Sequence, residues 1–307
     1  MNNNKYIFTT FLLILLYLDA FGQQDPQFTQ YMYNTASINP AYAGSRGMLS
    51  FNLNYRSQWV GLDGAPKTAQ FSINTPVGEK GVGLGLSFYN DQIGPSTENN
   101  FAIDYSYTIQ TGRDTQLSFG LKGGFQTLDI NFNRLTVLDP NDAALLRNID
   151  NRFQPIIGIG TYLHSDKWYL GLSTPNILTT DHYNDVRVSR ASERAHIFLM
   201  GGYVFDLTPE WEFKPAFLAR GVAGAPLSLD LSANFWYNKK LTIGAAYRLD
   251  AAVSAMIGIQ ANDQFLIGYS FDLDTTDLGR YNNGSHEIFF RWELFTRLRN
   301  KVSPRFF

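Results

Sequence analysis

The chain has 307 residues, 44% hydrophobic and 17% charged, with 27 acidic against 25 basic side chains, 26 glycines and no cysteine. The near-neutral balance leaves no basic footprint for nucleic acid, and the missing cysteine excludes disulfides, thiolate metal sites and cysteine catalysis. Against so little charge, 24 Phe, 17 Tyr and 5 Trp are many, a mix that suits strands facing something other than water.

Residues 1–22 have the pattern of a secretory signal peptide. Lys5 gives the positive start, Ile7–Leu18 an apolar run, and Ala20 and Gly22 the small residues before a cut at Gln23. The run is shorter than the roughly 18–20 residues that a helix needs to span hydrocarbon. No cysteine follows the cut, so lipid attachment there is excluded. Residues 23–46 (QQDPQFTQYMYNTASINPAYAGSR) are too aromatic for a disordered tail. They are predicted to fold into a lumen as a plug or to pack on a periplasmic rim. Phe28, Tyr31, Tyr33 and Tyr42 are its candidate partner contacts.

From 47 to 295 one period recurs, and it is two. Phe101, Ile103, Tyr105, Tyr107 and Ile109 alternate with Ala102, Asp104, Ser106, Thr108 and Gln110. Successive strand side chains point to opposite faces, so such a segment carries one apolar and one small or polar face. Fourteen segments are predicted: 47–60, 66–77, 81–90, 98–110, 115–130, 152–164, 167–174, 194–207, 210–220, 225–238, 240–248, 252–261, 263–273 and 285–295. An even number of roughly ten-residue alternating strands is what an antiparallel transmembrane β-barrel requires. Joints after even segments are short, as at Val77-Gly78-Glu79-Lys80 and Asn238-Lys239. Several joints after odd segments are long: Asp91–Thr97, Asn131–Asn151, Thr174–Glu193 and Asp274–Gly284. Gly61–Ala65 and Leu249–Ala251 are short exceptions. Short turns inside and long loops outside is the outer-membrane pattern; it puts both termini in the periplasm.

The two faces agree. A soluble sandwich would set Lys and Glu opposite its apolar face, whereas here that face is mostly Gly, Ala, Ser, Asn and Gln. Tyr55, Trp59, Tyr107, Trp168, Tyr203, Trp211, Tyr237, Tyr247 and Trp292 fall near segment ends, where aromatic girdles meet the membrane interfaces. Ten charges are expected to face inward: Arg56, Asp104, Lys122, Lys214, Arg220, Asp230, Arg248, Glu287, Arg291 and Glu293. In a lumen such groups pair across the bore and stiffen it; the functional alternative is a polar solute pathway.

No catalytic, cofactor or metal site stands out. His164, His182, His196 and His286 make no metal-spaced pair. Gly81-Val82-Gly83-Leu84-Gly85 looks like a phosphate loop but lacks a following helix, and reads as glycines on a strand's inner face. Asp139-Pro140-Asn141-Asp142 reads as a turn opening a short helical stretch, Ala143–Ile149. The tail 296–307 is basic and ends Ser303-Pro304-Arg305-Phe306-Phe307; Phe306 and Phe307 suggest a docking peptide in the periplasm.

Several ordered strings resemble the PorP/SprF family: Asp25-Pro26-Gln27-Phe28-Thr29-Gln30-Tyr31-Met32, Asn39-Pro40-Ala41-Tyr42-Ala43-Gly44, Tyr55-Arg56-Ser57-Gln58-Trp59 with Gly64-Ala65-Pro66, Gly81–Leu86 with Asn90-Asp91-Gln92-Ile93-Gly94-Pro95, Ser285-His286-Glu287-Ile288, and the Ser-Pro-Arg-Phe-Phe ending. The stretch 131–193 carries no such string. The resemblance implies a non-enzymatic outer-membrane barrel of Bacteroidota, linked to type IX secretion and gliding motility. It implies clients that are large surface proteins with a C-terminal sorting domain, such as adhesins, with other secretion components and outer-membrane lipid as partners. The competing reading is a plugged outer-membrane transporter of hydrophobic or small solutes, similar to fatty-acid channels.

Overall fold

The computed structural model describes residues 28–135, 148–178, 180–181, 192–193 and 195–294. The signal segment 1–22, the tail 296–307 with Phe306 and Phe307, the 139–142 motif and His182 lie outside the described residues.

Fourteen antiparallel strands form one closed ring. They are β1 Leu49–Ser57, β2 Lys67–Val77, β3 Val82–Ile93, β4 Ser96–Gln110, β5 Gln116–Ile130, β6 Ile149–His164 and β7 Trp168–Thr174. The second half is β8 His196–Tyr203, β9 Trp211–Val222, β10 Ser228–Tyr237, β11 Leu241–Arg248, β12 Ala252–Gln260, β13 Phe265–Asp274 and β14 Ser285–Leu294. β14 returns to β1 in a register running from Leu49↔Leu294 to Ser57↔His286. Closure leaves no unpaired edge to face lipid. Each of the fourteen predicted segments is one of these strands. Past Val204 the chain adds Phe205–Asp206 against β9, and a two-residue ladder, Thr180–Asp181 with Ser192–Glu193, stands outside the ring.

The period of two decides what faces where. On β4, Phe101, Ile103, Tyr105 and Tyr107 are exposed outward while Ala102, Asp104 and Ser106 are buried inward. Ile103 is 60% and Leu121 59% exposed at mid-strand, which in water would be an aggregation surface and in a bilayer is the lipid-facing belt. Aromatic clusters flank this belt. At the short-turn end Trp211 packs on Tyr237 at 4.6 Å, and Phe265 stacks on Trp292 at 5.9 Å. Toward the long-loop end Phe88, Phe101, Phe125 and Phe153 form a ladder across β3–β6 with centroids 4.5, 5.4 and 5.3 Å apart.

One expected loop is strand. β3 and β4 run through Asp91–Thr97 and turn only at Gly94-Pro95, where Gly94 takes φ +55°. Polarity in this stretch marks exposure to water and not the end of a strand, because the strands extend beyond the apolar belt. At the opposite end Asn238 and Lys239 both adopt positive φ, the conformation a tight hairpin demands. Ile149, expected to end a helical stretch, opens β6 instead.

A plugged lumen as the candidate functional site

The bore is occupied by the segment from Phe28 to Met48, folded as three short 3-10 turns, Tyr31–Tyr33, Thr35–Ser37 and Pro40–Tyr42. Asn39 caps the third by accepting from the Ala41 amide at 3.0 Å, with Pro40 supplying a fixed φ at its first position. These turns pair part of the segment's backbone internally, as from the Tyr33, Ser37 and Tyr42 amides, and wall side chains take further groups, so the segment is buried without a sheet.

Glycines on the inner wall make room for it. A Cβ on Gly120 would lie 2.1 Å from the Ala41 amide nitrogen, on Gly83 2.2 Å from the Ala43 carbonyl oxygen, and on Gly160 2.2 Å from Asn39 Oδ1. Within the glycine run 81–85, Gly83 and Gly85 are buried on the inner face and Gly83 meets the plug's backbone, while Gly81 is exposed at the turn with φ +77°. Hydrogen bonds fix the fit: Ser106 Oγ donates to the Ala43 carbonyl at 2.7 Å, Ser173 Oγ to that of Ile38 at 2.7 Å, and Asn39 Nδ2 to that of Thr161 at 2.9 Å.

Ionic clusters clamp the two ends of the plug. Arg56 lies 2.7 Å from Asp272 and 3.1 Å from Glu287. Thr29 joins all three: its amide donates to Glu287 at 2.8 Å, its hydroxyl reaches Asp272 at 2.7 Å, and Arg56 donates to that hydroxyl at 3.0 Å. The Gln30 amide donates to the other Glu287 oxygen at 3.1 Å and Asn54 Nδ2 to the same oxygen at 3.2 Å. At the other end Arg46 pairs with Glu293, which also lies 3.6 Å from Arg291. Buried charges persist only when paired and hydrogen-bonded, and Thr29, Gln30 and Arg46 of the plug complete these pairings.

The ten expected inward charges all point into the bore. Arg56, Asp104, Lys122, Lys214, Arg220, Asp230, Glu287, Arg291 and Glu293 are buried and Arg248 is half-buried. Their pairing differs from the expectation. Asp104–Lys122 (3.3 Å) and Asp230–Arg248 (2.6 Å) join neighbouring strands in register, along the wall and not across the bore. The plug occupies the centre and separates opposite walls. Lys214 lies 5.3 Å over the Tyr169 ring, a cation–π placement. Asp272 and Arg46 were missing from the sequence-based set. Asp272 shares the inward parity of Gly268 and Ser270, so alternation could have found it; Arg46 precedes the first strand and carries no such signal.

Tyr31, Tyr33 and Tyr42, expected as partner contacts, are buried against the wall. Tyr33 stacks on Phe289 at 4.4 Å and Tyr42 meets Tyr162 edge-on at 5.4 Å. With Met32, Phe198, Met200 and Leu218 they form the apolar core of the molecule. A partner could touch these rings only after the plug moved. Phe28 is half-buried and lines two cavities in the long-loop half, of about 100 and about 30 Å³. Among the described residues no three His, Asp or Glu side chains gather in a metal-holding group.

A solved structure of the CymD monoaromatic hydrocarbon channel superposes with a TM-score of 0.50 at 10% identity, covering 90% of this chain and 95% of that one. The Ralstonia pickettii toluene transporter TbuX (10% identity, 87% and 94% covered, TM-score 0.48) and a Pseudomonas aeruginosa FadL homologue (11% identity, 89% and 96% covered, TM-score 0.48) are also similar. At such identity the likeness is one of fold alone. No curated protein matches the sequence. The model of the family described as type IX secretion system membrane protein PorP/SprF matches residues 20–292. A closed fourteen-stranded ring with a lipid-facing belt, carrying that match over nearly its whole length, belongs to the PorP/SprF family of type IX secretion system membrane proteins and is an outer-membrane β-barrel.

Proposed function

We propose that this barrel helps export or anchor a large cell-surface protein, such as a gliding adhesin, that carries a C-terminal sorting domain. Family membership implies other components of the secretion system as partners; the client is the reading's own addition. The observation that carries it is the filled bore. Seventeen residues from Thr29 to Ser45 pack in the lumen, and glycines, hydroxyls and ion pairs of the wall are shaped to them. A barrel so committed to its own plug offers its rim and loops to a partner in preference to a path through its centre. A transporter of hydrophobic or small solutes needs a continuous lumen or lateral gap, and the filled bore weighs against it.

In this reading residues 1–22 are a signal peptide removed on export. The short turns face the periplasm, the long loops face outward, and lipid covers the belt. The tail 296–307 reaches periplasmic components through Phe306 and Phe307. Deletion of the gene tests the reading. Loss of the adhesin from the cell surface is the expected result; an adhesin still exported and still retained overturns it. A solute-uptake defect with normal adhesin display would favour the transporter.

A further inference from the structure

The two ends of the plug are held by different chemistry. Arg56 is the penultimate residue of β1, Asp272 stands near the end of β13 and Glu287 near the start of β14, all where strands join the connections 58–66 and 275–284. Thr29 is bonded to each of them. The plug then descends. Asn34 accepts from Ser72, Asn39 meets Thr161, and Gly44 approaches Pro76 and Gly83 beside the β2–β3 turn. Arg46 reaches Glu293, one residue from the end of β14. The chain therefore traverses the bore from the long-loop end to the short-turn end before β1 begins. At the long-loop end the wall charges stay paired without the plug. Arg56 keeps Asp272 and Glu287, and Asn54 still donates to Glu287 at 3.2 Å. Thr29 and Gln30 can therefore leave without orphaning a buried charge. The short-turn end is held more firmly. Arg46 grips Glu293 with both Nε and Nη2, the latter at 3.1 Å, and such two-pronged guanidinium–carboxylate pairs are among the strongest polar contacts. Were Arg46 to leave, Glu293 would keep Arg291 at 3.6 Å, beyond hydrogen-bond reach.

Just before that anchor the chain has a place to bend and room to do so. Gly44 has φ +69°, in the left-handed region that glycine enters freely. Ala43, Gly44 and Ser45 border a cavity of about 330 Å³ whose rim is the exposed β2–β3 turn, Gly78–Gly81. The cavities beside the plug in the long-loop half are about 100 and about 30 Å³. We infer that the plug is a hinged stopper: latched by Thr29 at the long-loop end, anchored by Arg46 and pivoting at Gly44, it opens toward the short-turn mouth. A few residues that absorb a change of φ and ψ suffice for such a hinge. The latch lies beneath two connections that are bonded to each other. The Val60 amide donates to the Gly284 carbonyl at 2.9 Å, the Asn283 amide to that of Val60 at 2.8 Å, and the Trp59 amide to Ser285 Oγ at 3.1 Å. Trp59 sits at φ +47°, a strained conformation for so bulky a residue. Arg56 and Glu287 follow within three residues of these bonds, so a shift of the paired connections moves the latch. The proposed function sets a client on the long-loop face. On that reading its arrival works the latch and presents the plug on the opposite side of the membrane.

The absence of cysteine makes the test clean. Ala36→Cys, buried in the middle of the plug, reports opening by its rate of reaction with a membrane-impermeant maleimide. Tyr281→Cys in the connection 275–284 and Lys80→Cys in the β2–β3 turn mark the two ends of the barrel, and intact and permeabilised cells tell them apart. Thr29→Val keeps the shape of the latch and removes the hydroxyl bonds to Asp272 and Arg56. Loss of two charge-assisted bonds should speed labelling of Ala36→Cys about a hundredfold, and only under conditions that label Lys80→Cys. Thr29→Ser, which restores the hydroxyl, should return the rate to that of the parent. Faster labelling where Tyr281→Cys alone reacts means that the plug leaves by the long-loop mouth and overturns the inference. Thr29→Pro also removes the amide hydrogen, in case the amide bond alone holds the plug. No acceleration in either variant, with heat-modifiable migration retained, overturns it as well. No client takes part, so the inference and the secretion reading can fail separately.

Discussion

Replacing Gly120 by alanine should displace the plug while leaving the barrel folded. The added Cβ would lie 2.1 Å from the Ala41 nitrogen, 2.4 Å from the Pro40 carbonyl carbon and 2.5 Å from the Ala41 Cα. All three are backbone atoms, so no rotamer change relieves the clash. Ordinary contact begins near 3.4 Å, and the plug must retreat by about 1.3 Å. Overpacking of a tight core costs about 1–3 kcal/mol. A shift of that size also stretches the bonds from Ser106 to Ala43 and from Asn39 to Thr161, at about 1 kcal/mol each. The combined penalty, about 3–5 kcal/mol, falls on plug docking. The strand itself loses nothing, because alanine suits a strand at least as well as glycine. Gly123→Ala is the control: it lies three residues along the same strand, faces outward, and its Cβ would meet no atom within 4 Å. Limited proteolysis of the purified barrel and single-channel recording in planar bilayers read the outcome. Gly120→Ala should make the plug cleavable and give intermittent conductance, with heat-modifiable migration on gels retained. If Gly120→Ala is as resistant and as silent as Gly123→Ala, the wall glycines do not hold the plug.

Other substitutions probe other layers of the same structure. Arg56→Leu leaves Asp272 and Glu287 buried without their cation and should cost about 3–5 kcal/mol, read as a lower gel-shift temperature; adding Asp272→Asn and Glu287→Gln should recover most of it, and no recovery would argue against an ionic clamp. Leu121→Arg places a charge mid-belt and should cost about 2–4 kcal/mol in bilayer-folding equilibria, whereas full folding yield would mean that this face is not in lipid. Phe125→Ala removes the middle of the ladder and should cost about 1–3 kcal/mol from its two ring contacts; a double-mutant cycle with Phe101→Ala showing no coupling would refute the stacking.

How much of this was legible depends on which physics writes it. Strand number and face assignment follow from alternation, since lipid on one side and a crowded bore on the other punish any slip of register. Ile103 out and Asp104 in could be read directly. The end of β3 could not: Asn90, Asp91 and Gln92 put polar side chains on both faces, so nothing in them distinguishes a strand projecting into water from a loop. The aromatic N-terminal segment signalled burial, because Tyr31, Tyr33 and Tyr42 needed a dry place. Its direction of travel was not legible. That rests on which carboxylates Thr29 meets, more than 240 residues away along the chain.

The two walls of the bore explain how one short segment can be held so firmly yet in only one register. The buried inward residues of β1 and β2 are all polar: Ser50, Asn52, Asn54, Arg56, Thr68, Gln70, Ser72 and Asn74. The opposite wall presents Tyr162, Tyr169, Phe198, Met200 and Leu218. Apolar burial is non-directional and grows with area, so the second wall supplies adhesion but tolerates sliding. Hydrogen bonds add little net stability but penalise misplacement, so the first wall fixes depth and rotation. A plug under load should therefore separate first from β1–β2 and last from the wall around Met200. Selective loss of amide protection in the plug at Asn34, which faces Ser72, before any at Tyr42, which packs on Tyr162, is the order that hydrogen exchange would have to show.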